Sequence, residues 1–471
     1  MLTITKNGWN NIMYELDFST PCHVHFIGIG GISMSGLAEI LLDEKFQVSG
    51  SDNKESELTR HLCSLGARIS YPQSEKNITN DIHLVVYTAA IHPDNPEFKA
   101  AADAGIPMLT RAQLLGQIMK HYSRSIAVAG THGKTTTTSM ISQVLLAGEE
   151  DPTISVGGML KAIGSNIHVG NSDLFITEAC EYTNSFHSFF PKYSIILNVE
   201  AEHLDFFKDL DDVRASFHKF ASNTKPEGAL IINGEIPNYQ ELCSDLSCKV
   251  ITFGMNDSCD YYPADISYNH LGCATFTPMH QGSALPAITL NVPGAHNISN
   301  ALSCIALCQE MKLPWSQITT GLMQFSGADR RFQYKGQFQG ATVIDDYAHH
   351  PTEIAASLHA AQNYPHKRIV VVFQPHTYTR TKAFLPDFAE SLSIADVVVL
   401  ADIYAAREQD IYGVSSKDIL KLLQEKGVES YYFPSFSEIE SFLTKNCMNG
   451  DLLITMGAGD VVNIGEDLLK Q

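Results

Sequence analysis

Gly130-Thr131-His132-Gly133-Lys134-Thr135-Thr136-Thr137 follows an apolar, strand-like run, Ser125 to Ala129, and leads into a helix-like run from Thr138 to Ala147. At such a junction small residues let backbone N–H groups curl around phosphate oxygens. Lys134 can reach the terminal phosphates, Thr135 can offer a hydroxyl to Mg2+, and the helix N-terminus adds positive potential. The loop is a tight variant of the usual phosphate-binding pattern, because Val128 stands where the first glycine is normally found. A glycine turn heading an ordinary helix is the plainer alternative. Gly-Lys-Thr between a strand and a helix favours a nucleoside triphosphate site.

Outward from this loop, the chain reads as three blocks of alternating strands and helices, an α/β pattern of three doubly wound domains. In the first block the strand-like runs are 23–29, 46–50, 83–88 and 106–109, with helical stretches at 34–42 and 57–65. Polar residues around His121–Arg124 suggest its end, giving a domain over 1–122. The central block, 123–327, adds strands at 174–179 and 195–199 and a β-like stretch at 249–292. The last, 328–471, has strands at 342–346, 368–373, 396–400, 430–433 and 452–456. Residues 1–12 have no periodicity and precede Met13. They read as an extension, with Met13 as an alternative start.

With 471 residues and 44% hydrophobic content, several cores are affordable. There is no uninterrupted apolar stretch of membrane-spanning length and no secretory leader pattern, so the expectation is a cytoplasmic protein without membrane insertion, a monomer or dimer. A formal net charge of −20 argues against nucleic acid as a partner. Anionic substrates must then meet local cations: Lys134, Arg111, Arg330, Arg331 and Arg380. The ten cysteines include no C-x-x-C pair; Cys304 and Cys308 fit one face of a buried helix.

Open parallel sheets bind ligands at the carboxyl ends of their strands. In the central block three such ends carry suitable groups: the phosphate loop, Glu178, and Glu200-Ala201-Glu202-His203. Mg2+ prefers oxygen, so Thr135 and Glu178 are candidate ligands and His203 a less usual one. Taken singly, Glu178 could equally pair with a lysine and His203 could cap a helix. In the first block Gly28-Ile29-Gly30-Gly31-Ile32-Ser33, with Asp52 after the next strand, is similar to a dinucleotide fingerprint and makes an NAD-dependent oxidoreductase the rival class. Ser33 replaces its third glycine, and one pyrophosphate-bearing substrate explains the turn more economically. In the third block, Asp345 to Glu353 ends a strand and starts a helix, with Pro351 at the first helical position. Gln374 to Arg380 occupies the same place one strand later, and the two clusters suit carboxylate recognition.

These motifs, with Gly294-Ala295-His296-Asn297-Ile298-Ser299-Asn300, Arg330-Arg331-Phe332 and Gly457-Ala458-Gly459-Asp460, resemble the Mur ligase family over essentially the whole chain after Met13, and most closely its alanine-adding branch. The resemblance implies a UDP-sugar domain, a central ATPase domain and a C-terminal domain that receives the amino acid. It further implies ATP-dependent ligation of L-alanine to UDP-N-acetylmuramate through an acyl phosphate in peptidoglycan precursor synthesis, with Mg2+. Carried over residue by residue, Gly130 to Thr136 cradle the ATP phosphates, Thr135, Glu178 and His203 hold the metal, and His296, Asn297 and Asn300 face the adenine. Arg331 and Asp345 or Asp346 approach the nucleotide. Gly28, Gly30, Gly31, Asp52 and Arg111 serve the UDP-sugar, while Tyr347, His349, His376 and Arg380 surround the alanine and the muramoyl carboxyl. Lys134, His203, Arg331, His349 and Arg380 carry the chemistry.

Many relatives have an acidic run after the residue matching Glu178. This chain has Ala179-Cys180-Glu181-Tyr182-Thr183, so no metal role is extended past Glu178. The lysine that later-acting siblings carbamylate is absent, which fits alanine addition. The alternative inside the family is the ligase that attaches a preformed tripeptide to the same sugar nucleotide.

Overall fold

The computed structural model describes residues 14–470 apart from Ala89, Leu204, Asp205 and Arg407. The expected extension at 1–12 lies outside the described residues. Three sheets, each flanked by helices, make a mixed α/β fold.

The first sheet is wholly parallel, in the spatial order Arg68–Ser70, Gln47–Ser51, His23–Ile27, Leu84–Tyr87, Met108–Thr110. Its order reverses at His23–Ile27, so the Gly28–Gly31 turn opens at the switch point where such sheets take ligands. The central, eleven-stranded sheet has a parallel middle, Lys249–Phe253, Ala229–Asn233, Tyr193–Ile196, Arg124–Ala129, Leu174–Ala179 and Thr153–Leu160. Tyr261–Tyr268 joins Lys249–Phe253 in parallel, antiparallel strands lie beyond it and at the opposite edge, and the strands between Tyr261 and Pro293 account for the β-like stretch expected there. In the third sheet Ala341–Asp346, Leu452–Met456, Ile369–Phe373, Val397–Leu400 and Glu429–Tyr432 run parallel. An antiparallel edge, Gln333–Phe338, precedes them. That edge has little apolar alternation and was not expected from the sequence.

Strands such as Ile369–Phe373 and Val397–Leu400 are apolar throughout because helices cover both faces. Two expected elements shift. The helix after the phosphate loop starts at Lys134 rather than Thr138. A run of β-branched threonines is a poor helix former, but Thr135, Thr137 and Thr138 are buried here and packing overrides propensity. The strand expected at 195–199 is Tyr193–Ile196. Beyond it the chain turns away so that the Asn198 side chain can hold the phosphate loop. Cys304 and Cys308 lie buried on helix His296–Glu310 as free thiols, as expected.

The first and central sheets share one apolar cluster running from Val24 and Phe26 to Phe186 and Phe217. Contact between them is close at Gly116, where a Cβ would lie 2.0 Å from the Ser188 carbonyl oxygen.

Candidate functional site

The phosphate loop is held from below by its neighbour strand. Asn198 accepts a hydrogen bond from the His132 N–H (2.7 Å) and donates one to the His132 carbonyl (3.1 Å), while Thr131 Oγ1 accepts from the Glu200 N–H (3.0 Å). Gly133, at φ +85°, turns the chain into the helix, and a Cβ there would press to 2.9 Å from Asn300 Oδ1. Only glycine satisfies both demands. Lys134 bends back onto its own loop: Nζ donates to the carbonyls of Gly130 and Thr131 and to Glu181 Oε2 at 3.0 Å.

Glu181 was not singled out from sequence. It is 2% exposed and stands between Lys134 and His203, whose Nε2 is 3.5 Å from its other oxygen. Burial raises the Glu181 pKa, but Lys134 and then His203 outweigh it, and the carboxyl stays below its ordinary range. His203 occupies a left-handed turn (φ 55°), and the next helix begins only at Leu210 with Asp209 as its cap. A capping role for His203 is thereby removed. Glu178 accepts from the Gly157 N–H at 2.6 Å and, among the described residues, forms no ion pair with a lysine.

Thr135, Glu178, Glu181, His203 and Lys134 line a chamber of about 860 Å3. Arg330, Arg331, Tyr347, His349, Glu353 and Arg380 come to it from the last 150 residues, and Ile32 and Leu58 from beside the first sheet. The guanidiniums of Arg330 and Arg331 lie 4.8 and 5.3 Å from the Tyr347 ring. Arg380 reaches across to Glu202, donating from Nη2 at 2.7 Å and Nε at 3.1 Å. His376 does not line the chamber. It stacks on Tyr404 and meets Arg380 Nη1 at 3.1 Å, so it acts on Arg380.

A second cavity, about 190 Å3, adjoins the loop and is walled by Val292, Phe325 and Phe332 with polar groups from His296, Asn297, Asn300, Arg331 and Asp346. This is the shape of a nucleobase pocket. Asp345 is absent from it. That side chain is fully buried, accepting from Arg330 Nε (3.1 Å) and Thr455 Oγ1 (2.8 Å), so of the two aspartates only Asp346 faces the cavity. Burial pushes the Asp346 carboxyl up to about 6.

The third cavity, about 740 Å3, opens at the first sheet's switch point and includes Gly28, Gly30, Gly31 and Asp52. Asp52 Oδ2 accepts from the Gly30 N–H at 2.8 Å, closing the turn. Arg111 is not part of this cavity. It heads helix Arg111–His121 one strand further on, beside Cys180, where burial draws its pKa down.

His349, half-buried, is driven to a pKa of about 4 by burial against the pull of Glu353, and His376 likewise by burial and Arg380. For His132 burial opposes the charge, but Glu353 at 3.1 Å and Glu200 at 3.5 Å prevail and hold it at about 9. The first two pKa values lie below the unfolded 6.5, so their contribution to stability is complete above it and is lost as pH falls toward 4. The third lies above, so its contribution is complete below 6.5 and lost as pH rises through 9. Thermal melting from pH 4 to 10 is expected to peak near pH 6.5, and His132→Gln to flatten the alkaline limb only.

The sequence matches three family profiles end to end: "Mur ligase family, catalytic domain" over residues 23–123, "Mur ligase middle domain" over 128–308, and "Mur ligase, glutamate ligase domain" over 330–459. It is 67% identical over 459 residues to a UDP-N-acetylmuramate–L-alanine ligase of Agathobacter rectalis, covering 98% of this chain and all of the relative. A protein of the same name from Lachnospira eligens is 58% identical, with 97% of this chain and all of the relative covered. Among solved structures, the UDP-N-acetylmuramate–alanine ligase of Thermotoga maritima superposes with a TM-score of 0.78 at 30% identity, over 95% of this chain and 98% of that one. With profiles matched on all three sheets and full-length relatives at such identity, the chain belongs to the Mur ligase family.

Proposed function

We propose that the chain joins L-alanine to the lactyl carboxyl of UDP-N-acetylmuramate, using ATP, and so begins the peptide of the peptidoglycan precursor. The observation that carries this reading is the 860 Å3 chamber, which takes residues from all three sheets around the Lys134 loop. A reaction that brings together a sugar nucleotide, ATP and an amino acid needs such a meeting point. We take the domains as 1–122 for the UDP-sugar, 123–327 for ATP and 328–471 for the amino acid, in the cytoplasm.

The residues at the loop suit Mg2+. A Cβ at Gly157 would stand 3.1 Å from the Glu178 carboxylate and one at Gly158 3.3 Å from the Thr135 side chain, so the glycines keep open the space between the two oxygen donors. Thr135, Glu178 and His203 would hold the ion, which supplies charge neutralisation at the transferring phosphoryl group. Lys134 leaves Glu181 and its own loop carbonyls to meet the ATP phosphates. Asn297, Asn300, His296 and Asp346 take the adenosine end. Arg331, beside Glu353, sits where both nucleotide cavities meet and offsets charge on the acyl phosphate formed at the lactyl oxygen. His349, kept uncharged at pH 7 by burial, lines the chamber and orients the alanine amine for attack, and the proton that the amine sheds passes to the departing phosphate. Arg380, steadied by His376, orients the alanine carboxylate. Phosphate then leaves, with no bond to the protein at any stage.

Incubation with ATP and UDP-N-acetylmuramate, with hydroxylamine in place of alanine, is expected to yield the sugar hydroxamate. Phosphorylated protein would instead point to another reaction class. In steady-state comparison glycine should react about 10-fold to 200-fold more slowly than L-alanine, the worth of one methyl group in an apolar pocket. D-glutamate should not react. Preference for a preformed tripeptide would move the assignment to the recycling branch of the family.

A further inference from the structure

Where the phosphate loop meets the helix Pro351–Gln362, three side chains outside the Mg2+ set converge. His132 from the loop, Glu200 from beyond strand Tyr193–Ile196 and His350, the cap of that helix, each present a donor atom within 4.8 Å of the others. Among the described residues, the Nε2 atoms of both histidines are buried without a hydrogen-bond partner. Their rings lie 4.9 Å apart. The nearest carboxylate oxygens are Glu200 Oε2, 3.5 Å from His132, and Glu202 Oε2, 3.7 Å from His350, and Arg380 already claims Glu202.

Buried polar atoms are nearly always paired, and two unpaired imidazole nitrogens facing one carboxylate are a donor set for a divalent ion. The outer partner is also present. His132 Nδ1 lies 3.1 Å from Glu353 Oε1, the contact that keeps a proton on Nδ1 and leaves Nε2 as the nitrogen that turns inward and gives up its proton to an ion. His350 Nδ1 accepts from the Thr352 N–H at 3.4 Å, which caps the helix and leaves the ring proton on Nε2; zinc at Nε2 requires that proton to move to Nδ1, and a contact of this length is weak enough to give up.

We propose that His132, Glu200 and His350 bind a transition-metal dication of the zinc class, at a site separate from Thr135, Glu178 and His203. Two imidazoles select zinc over magnesium, which prefers oxygen. At zinc–donor distances of about 2.0–2.1 Å the three donors must draw in by about 1 Å. Binding releases the His132 Nε2 proton to solvent, and the lone pair it held goes to the ion. Because the donors come from both the central and the third domain, the ion ties the two together.

The test uses the full chain in millimolar Mg2+. Zinc titration by calorimetry should show one bound equivalent that Mg2+ does not displace, the melting temperature should rise, and Co2+ should give visible ligand-field bands. His350→Asn keeps a good helix cap but lacks the imidazole, and it should weaken zinc binding by more than about 100-fold. Glu353→Gln, altering only the outer partner, should weaken it by about 10-fold to 100-fold. Should His350→Asn not fold, Glu200→Gln takes its place with the same expected loss. Absence of stoichiometric zinc, displacement by Mg2+, or affinity retained in His350→Asn or Glu200→Gln, as binding at the free cysteines would give, overturns the proposal.

Discussion

Lys134→Ala is expected to lower phosphate release by about 10^3-fold or more, the scale set by removing a charge-stabilising group from a preorganised site. Calorimetric affinity for UDP-N-acetylmuramate should stay within about 2-fold, since an interaction absent from a site does not contribute to its binding. The separation of the sites is the reason. Lys134 lies at the loop chamber, whereas the cavity at Gly28–Gly31 is lined, among the described residues, by ones between 28 and 96. The substitution also removes the countercharge of Glu181, which is 2% exposed and keeps its contact with His203. A buried carboxylate left without its lysine destabilises the fold, so the melting temperature should be read alongside. Lys134→Met in a Glu181→Gln background removes both charges and distinguishes the two effects. If activity returns there, Lys134 only neutralises Glu181; if it stays lost, Lys134 serves the phosphates. Equal loss of phosphate release and sugar-nucleotide binding in the single variant would sink the two-site reading.

Glu178→Gln is expected to cost about 10^2-fold in kcat at limiting Mg2+ and to recover partly as Mg2+ is raised. The amide keeps the side chain's shape and can still accept from the Gly157 N–H, so the loop should hold its place while one anionic oxygen donor is lost. His203→Ala should behave in the same direction. It removes a nitrogen donor and one of the two partners of Glu181, and kcat should again depend more steeply on Mg2+ than in the parent. Mg2+ dependence of ATP turnover, measured with and without alanine, checks both. Unchanged kcat in His203→Ala at limiting Mg2+ would leave that residue as a partner of Glu181 alone.

Much of this protein follows from its sequence by local rules. Gly133-Lys134-Thr135 is legible because a left-handed turn, a phosphate-reaching amine and a helix N-terminus are all encoded within a few residues. Pro351 lies at the first turn of its helix for the same kind of reason. Leu174–Ala179 and Leu452–Met456 occupy the ranges read from their apolar runs, because strands covered on both faces need no outside information to be recognised. The tertiary structure decided what depends on partners distant in the chain. Glu202 meets Arg380 across 178 residues, and Glu353 of the third domain meets His132 of the phosphate loop. Asp345 turns inward to Arg330 and Thr455 while Asp346 faces the cavity walled by Val292 and Phe325, and Arg111 lies away from the cavity at Gly28–Gly31, beside Cys180. Glu181 reads in sequence as a break from an acidic run, yet it becomes the carboxylate that holds both Lys134 and His203. A turn or a cap is determined by neighbours in sequence; which charge faces which cavity is determined by how one sheet edge docks against another, and no local pattern contains that geometry.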